Sequence, residues 1–159
     1  MTWPEPVQRV SAALRAAAAE ARIEEFPDGT HSARDAARAV GCELGQIVKS
    51  LVLVCDGAFV LALVPGDRRA DDEGVRAATG AREVRVARPD EVVHATGFEP
   101  GGVAPFPQRA IAQTLLDEAL LGWDVVWIGA GTERHVAALA PGELQRLTRA
   151  RACPLTGRG

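Results

Sequence analysis

The sequence predicts an α+β fold, with a mixed β-sheet or barrel-like core and helices packed around it. Helix and strand periodicities both occur, without the strict strand–helix–strand alternation of a parallel α/β protein. Two β-branched, apolar runs flank Asp56-Gly57, the short signal of an antiparallel hairpin. The 159 residues, 47% hydrophobic and 25% charged, suit one soluble domain with one core, so residues 1–159 are expected to fold as a single unit.

The elements follow in order. Val7, Val10, Leu14 and Ala18 recur at helical spacing, predicting an amphipathic helix from Pro6 to Arg22. Ile23–Phe26 reads as a short extended piece closed by the turn Pro27-Asp28-Gly29. Ser32 with Asp35 resembles a capping box, opening a helix that Gly41 stops. Gln46–Val54 and Ala58–Val64 are the hairpin strands, ended by Pro65-Gly66. Asp71–Thr79 is a helix terminated by Gly80, Glu83–Val86 a strand, and Pro89–Thr96 a helix with proline in its first turn. Ile111–Leu121 fits a strand or a short helix. Val125–Ile128 and His135–Leu139 are strands around the turn Gly129-Ala130-Gly131. Pro141–Arg149 is the last helix, and Ala152–Gly159 is expected to fray.

Several classes are disfavoured. No apolar run reaches the roughly 20 residues of a membrane helix, and the N-terminus lacks a signal core. A cytoplasmic protein without a membrane partner is expected. The net charge of -3 argues against wrapping duplex nucleic acid, so DNA is not expected as a partner. It leaves room for contact with the end of an RNA strand. Cys42, Cys55 and Cys153 lack metal or disulfide spacing and read as reduced thiols. His31, His94 and His135 are likewise too scattered for a metal site, and His135, after the small turn, reads either as a residue at a pocket's edge or, more readily, as a surface residue. No metal or cofactor is expected. No GxSxG elbow is present, so a covalent mechanism lacks its nucleophile.

Two features point to chemistry. The 18 basic residues comprise 17 arginines and a single lysine, Lys49. A lysine is a compact point charge that the planar arginine fork does not replace at a tight site. Codon bias would leave the same pattern. The second feature is Gly97–Pro107, GFEPGGVAPFP, with three glycines and three prolines in eleven residues. It reads either as a rigid surface connection or as a stiff loop whose N–H groups face a ligand.

The strings GQIVKSLVL, LALVPGDRR and TGFEPGGVAPF, followed by LLDEALLGWDVVWIGAG and LAPGELQRL, resemble the ordered blocks of the YbaK/prolyl-tRNA-synthetase-associated family, from about Phe26 to Leu147. The resemblance implies a freestanding, trans-editing aminoacyl-tRNA deacylase. Such an enzyme hydrolyses the ester of a small mischarged amino acid at the tRNA 3′ end, with tRNA-Pro the expected carrier and prolyl-tRNA synthetase a candidate partner. By resemblance, Lys49, Gly101 and Gly102 are the catalytic residues. Asp117 and Gly129, Ala130 and Gly131 are substrate-binding, with Phe26 on one side of the pocket. Asp117 also fits a buried hydrogen-bonding carboxylate, and Arg68-Arg69 either a phosphate contact at the rim or solvated charge. The chain has no tyrosine, whereas some family members carry one in the early strand, near Phe26. The implied mechanism is attack by a positioned water without a covalent intermediate. A non-catalytic binder of the tRNA 3′ end, or a hydrolase of a small nucleotide or acyl ester, remain the alternatives.

Overall fold

The structure, a computed structural model, describes residues 2–157. Its helices are α1 (Glu5–Ala16), α2 (Ala33–Val40), α3 (Asp72–Thr79), α4 (Pro89–Thr96) and α5 (Pro141–Thr148). The strands are β1 (Arg22–Glu25), β2 (Val48–Cys55), β3 (Ala58–Pro65), β4 (Val84–Val86), β5 (Gln113–Asp117), β6 (Val126–Gly129), β7 (His135–Leu139) and β8 (Arg151–Cys153). The α+β class stands, and the core is not closed into a barrel. One sheet runs β4-β2-β3-β5-β8, mixed, and the other β1-β7-β6, antiparallel.

The hairpin forms at its Asp-Gly signal: Cys55 pairs with Ala58, and Asp56 and Gly57 take φ of 49° and 84°. Strand alternation then divides β3 between two layers. Leu61 and Leu63 enter the main core with Val10, Leu14, Phe98, Ile128 and Leu144, so this core draws on both sheets. Val60, Ala62 and Val64 face the opposite layer, under Val75 of α3 and Leu155. Burial on both faces explains the unbroken apolar run of β3.

The sheets stay separate because β4 is short. It pairs only with Leu53–Cys55, leaving the first half of β2 without a neighbour on that side. Strand β6 approaches this opening and, among the described residues, bridges it only at Ile47–Trp127. The gap left between Val48–Leu51 and Trp127–Gly129 becomes a cavity between the two sheets.

Two expectations need correction, and a third resolves into both of its alternatives. α1 stops at Ala16, not Arg22: Leu14 is its last buried anchor, and the chain turns through Ala18 (φ 51°) so that β1 can pair with β7. Ile111–Leu121 holds both alternatives, β5 followed by a 3-10 turn at Glu118–Gly122. The tail from Ala152 is ordered through residue 157, and the expected fraying of Arg158 and Gly159 lies outside the described residues. Here β8 pairs in parallel with β5, and Leu155 is fully buried. Asp117 holds the tail, accepting from Leu155 N (2.7 Å), Thr156 N (3.2 Å) and Thr156 Oγ1 (3.1 Å).

Candidate active site

The cavity between the sheets has a volume of about 390 Å³, within the range of small-molecule pockets. Its walls come from the Thr30–Ala33 segment entering α2, the first half of β2, the glycine loop at Gly101 and Val103, and the β6–β7 connection. Ser32 fixes the first wall: its hydroxyl accepts from Asp35 N at 3.0 Å and caps α2. Apolar side chains including Ala36, Val40, Ile47, Val48 and Trp127 line the interior. The titratable lining groups are His31, Lys49 and His135, and no carboxylate is among the lining residues.

Lys49 reaches the cavity from β2, and its ammonium donates to the main-chain oxygen of Arg68. Burial pushes its pKa below the usual lysine range, the neighbouring Arg69 adds to the shift, and Asp67 opposes it. Arg68 and Arg69 are exposed beside it, placing further positive charge next to the lysine. Ser50, the next residue, also lines the cavity, with a buried Oγ that has no partner among the described residues.

The glycine loop is built differently from the expectation. Gly102 N–H donates to Glu99 O at 3.0 Å, closing a turn with Pro100 and Gly101 at its corners. Gly101 takes φ +92°, as the third position of a type II turn requires. Gly102 N–H is therefore used internally, whereas the N–H groups of Gly101 and Val103 take no hydrogen bond among the described residues. Gly102 serves close packing: a Cβ there would lie 2.8 Å from Gly131 O and from Thr132 Cα. Gly129 does the same, since its Cβ would meet Val103 O at 2.6 Å.

Of the expected site residues, Lys49, Gly101 and Gly129 line the cavity, and Gly102, Phe26, Asp117, Ala130 and Gly131 do not. Phe26 packs on the layer formed by Ala36, Trp127 and Val136. Ala130 is fully buried in the main core, and Gly131 lies against the main chain of Pro6. Asp117, only 2% exposed, spends its carboxylate on the C-terminal segment.

His135 takes the less favoured of its two readings, at the pocket and not on the surface. It is 2% exposed and forms part of the cavity wall. Its Nδ1 lies 2.5 Å from Thr132 Oγ1, and its Nε2 lies 3.2 Å from Glu25 Oε2, close enough for an ion pair but poorly aligned for a hydrogen bond. Trp3 meets the ring edge-on at 5.3 Å. Burial lowers the His135 pKa, with Glu25 opposing, which favours the neutral imidazole. Its position as first residue of a strand leaving a tight turn was the available signal. Thr30, Thr132 and Trp127 gave none, because only the packing of distant segments brings them together.

A family profile described as an aminoacyl-tRNA editing domain matches residues 27–147. The uncharacterised protein YwhH of Bacillus subtilis (strain 168) is 31% identical over 127 residues, covering 79% of this chain and 80% of that protein. The proline–tRNA ligase of Nitratidesulfovibrio vulgaris (strain DP4) is 28% identical over 151 residues, covering 87% of this chain and 26% of the ligase, so the chain spans about a quarter of that relative. A crystal structure described as a candidate trans-editing enzyme for prolyl tRNA synthetase superposes with a TM-score of 0.92 at 38% identity, covering 99% of this chain and 100% of the other. The hypothetical protein APE2540 superposes with a TM-score of 0.87 at 28% identity, covering 94% and 99%.

Proposed function

The chain belongs to the aminoacyl-tRNA editing domain family, and from that premise we propose that it is a trans-editing deacylase for a small amino acid wrongly esterified to tRNA, with tRNA-Pro as carrier. The observation that carries this reading is the placement of the sole lysine, Lys49, in the same cavity as the stiff Gly101–Val103 loop. The similarity to a segment of proline–tRNA ligases supports an enzyme that works beside a separate prolyl-tRNA synthetase.

An aminoacyl ester is already activated, so its hydrolysis asks for positioning and charge stabilisation more than for a strong base. The free N–H groups of Gly101 and Val103 receive the carbonyl oxygen as it becomes an oxyanion, each such donor being worth roughly 10²- to 10³-fold. The Lys49 ammonium holds the 3′-terminal nucleotide or the developing negative charge, with Arg68 and Arg69 toward the phosphates. A water held in line attacks the carbonyl carbon, the ribose oxygen leaves, and no enzyme ester forms. His135 faces a protein group at each ring nitrogen, so it acts as a wall that orients substrate and not as a free base.

The test is a time course of deacylation for alanyl, cysteinyl, seryl, threonyl and prolyl esters on one tRNA. A small ester cleaved well ahead of prolyl-tRNA is expected. Prolyl-tRNA cleaved as fast as the best small ester would overturn the editing reading, because a sieve must spare the correct product.

A further inference from the structure

Glu133 stands at the edge of this cavity with no part in the chemistry above. Its Oε1 lies 2.7 Å from where a Cβ on Gly101 would sit, and its Oε2 lies 3.3 Å from His31 Nδ1. Gly101 and His31 are both lining residues, contributed by different loops. Its main chain is fixed independently of the carboxylate, because Glu133 O accepts from Thr30 N (2.7 Å) and Thr30 Oγ1 (2.9 Å). The carboxylate is thus held against the cavity's rim by a backbone that does not depend on its charge. Side-chain exposures of 62% for His31 and 52% for Glu133 make their pairing a weak, exchangeable one.

We propose that Glu133 is the recognition group for the free α-ammonium of the aminoacyl ester, so that the site accepts aminoacyl-tRNA and rejects N-acylated esters. The proposal rests on the deacylase reading and deepens it. The α-nitrogen of an aminoacyl ester is two bonds from the carbonyl carbon. If that carbonyl sits at the Gly101 and Val103 N–H groups, the ammonium must come to rest within a few ångströms of Gly101. The lining itself offers only a cation, Lys49, and two histidines there. Of the other acids near the cavity, Glu25 faces the buried His135 Nε2, Asp67 stands on the Lys49 side, and Glu99 is exposed at the start of the glycine turn. Glu133 Oε1 reaches into the space that a side chain on Gly101 would fill, and Gly101 lacks the side chain that would push it away. A substrate ammonium displacing His31 gains a charge-assisted hydrogen bond, stronger than a neutral one. N-acetylation or a peptide chain removes that charge, and with it the gain over the existing His31 contact.

The experiment uses the full chain and two probes, 3′-deoxy-3′-(alanylamino)adenosine and its N-acetyl derivative, whose amide linkage resists hydrolysis. Wild type is expected to bind the free amine about tenfold more tightly, and Glu133→Gln to bring the two within about threefold by weakening only the free amine. Equal wild-type affinities, or a preference that survives Glu133→Gln, would overturn the proposal. A parallel loss for both probes would mark Glu133 as structural and overturn it as well. Alanyl-tRNA and N-acetylalanyl-tRNA hydrolysis, with the seryl pair alongside, is the second readout. No turnover of any free ester by wild type counts against the deacylase reading, while the affinity ratio still judges Glu133.

Discussion

Lys49 and Arg68 meet at the open end of the β2–β3 hairpin, where the lysine Nζ donates to the arginine's main-chain oxygen. An ammonium has three donors, so this tether fixes its direction and leaves two for a substrate. The acceptor is main chain, so the anchor does not depend on which side chain occupies position 68. Arg69, close enough to depress the lysine pKa, adds charge without competing for the tether.

Lys49→Ala is therefore expected to lower kcat/KM for a mischarged tRNA by 10²-fold or more, roughly the value of one well-placed charge or donor. Lys49→Arg is expected to be severely impaired too, because the planar fork is longer and cannot take the tethered ammonium position. Both variants should keep the wild-type thermal transition. An arginine variant with near wild-type turnover would return the lone lysine to codon bias.

Asp117→Ala should act on stability. The carboxylate is 2% exposed and serves two N–H groups and one hydroxyl of the tail, two of them within 3.1 Å. Removing it strands the buried Leu155 N–H, for a cost of about 2–4 kcal/mol in denaturant unfolding. Activity per folded molecule should hold. A specific rise in KM without loss of stability would restore the substrate-binding role that resemblance suggested.

Gly101→Ala is expected to lower activity and stability together. The position has φ +92°, where an L side chain costs about 1–2 kcal/mol, and the new methyl would collide with the Glu133 carboxylate. Gly102→Ala meets backbone at 2.8 Å and should be worse, displacing the loop from the Gly131–Thr132 turn. Comparing kcat/KM with the unfolding midpoint separates a moved loop from a melted one.

Much of this was legible in the sequence, at the level of single elements. Pro89 and Gly97 bracket α4 at the residues expected, and Ser32 and Gly41 do the same for α2. Those signals are local: a preset φ, a side-chain cap, a left-handed residue. The cavity is not local. It exists because β4 is three residues long and β6 bridges the neighbouring sheet at one point, and neither fact has a signature in a short window. Hence the sequence singled out Lys49 and Gly101, which line the cavity, through their unusual chemistry and setting, whereas for His135 it favoured the surface over a pocket's edge. For Asp117 the sequence left a substrate contact and a buried hydrogen-bonding carboxylate equally open, since its tail partners lie 38 and 39 residues away.

Replacing Cys42, Cys55 and Cys153 by alanine should leave deacylation within about twofold of wild type. Burial raises the pKa of all three thiols, which keeps them from being reactive thiolates at neutral pH. Cys55 is buried in the core, so Cys55→Ala is expected to cost about 1 kcal/mol of stability without touching turnover. Activity lost with any one thiol, at full folding, would contradict direct water attack.

The pH dependence of stability tests the environment of His135. An unfolded histidine titrates near 6.5, and burial places the folded value lower. Between those two values the unfolded chain binds a proton that the folded chain refuses, so acid favours unfolding. The contribution is intact above about pH 6.5, falls as the pH drops toward the folded value, and levels out below it. Wild type should accordingly lose more stability between pH 7 and pH 5.5 than His135→Gln, measured by urea unfolding in matched buffers. Glu25 faces the ring and raises its pKa, so Glu25→Gln should steepen the wild-type loss. Thr132 holds Nδ1 from the other side, and Thr132→Val should reduce the variant's activity by freeing the ring to turn. If wild type and His135→Gln respond identically to acid, the imidazole is not held in the desolvated wall that the geometry describes.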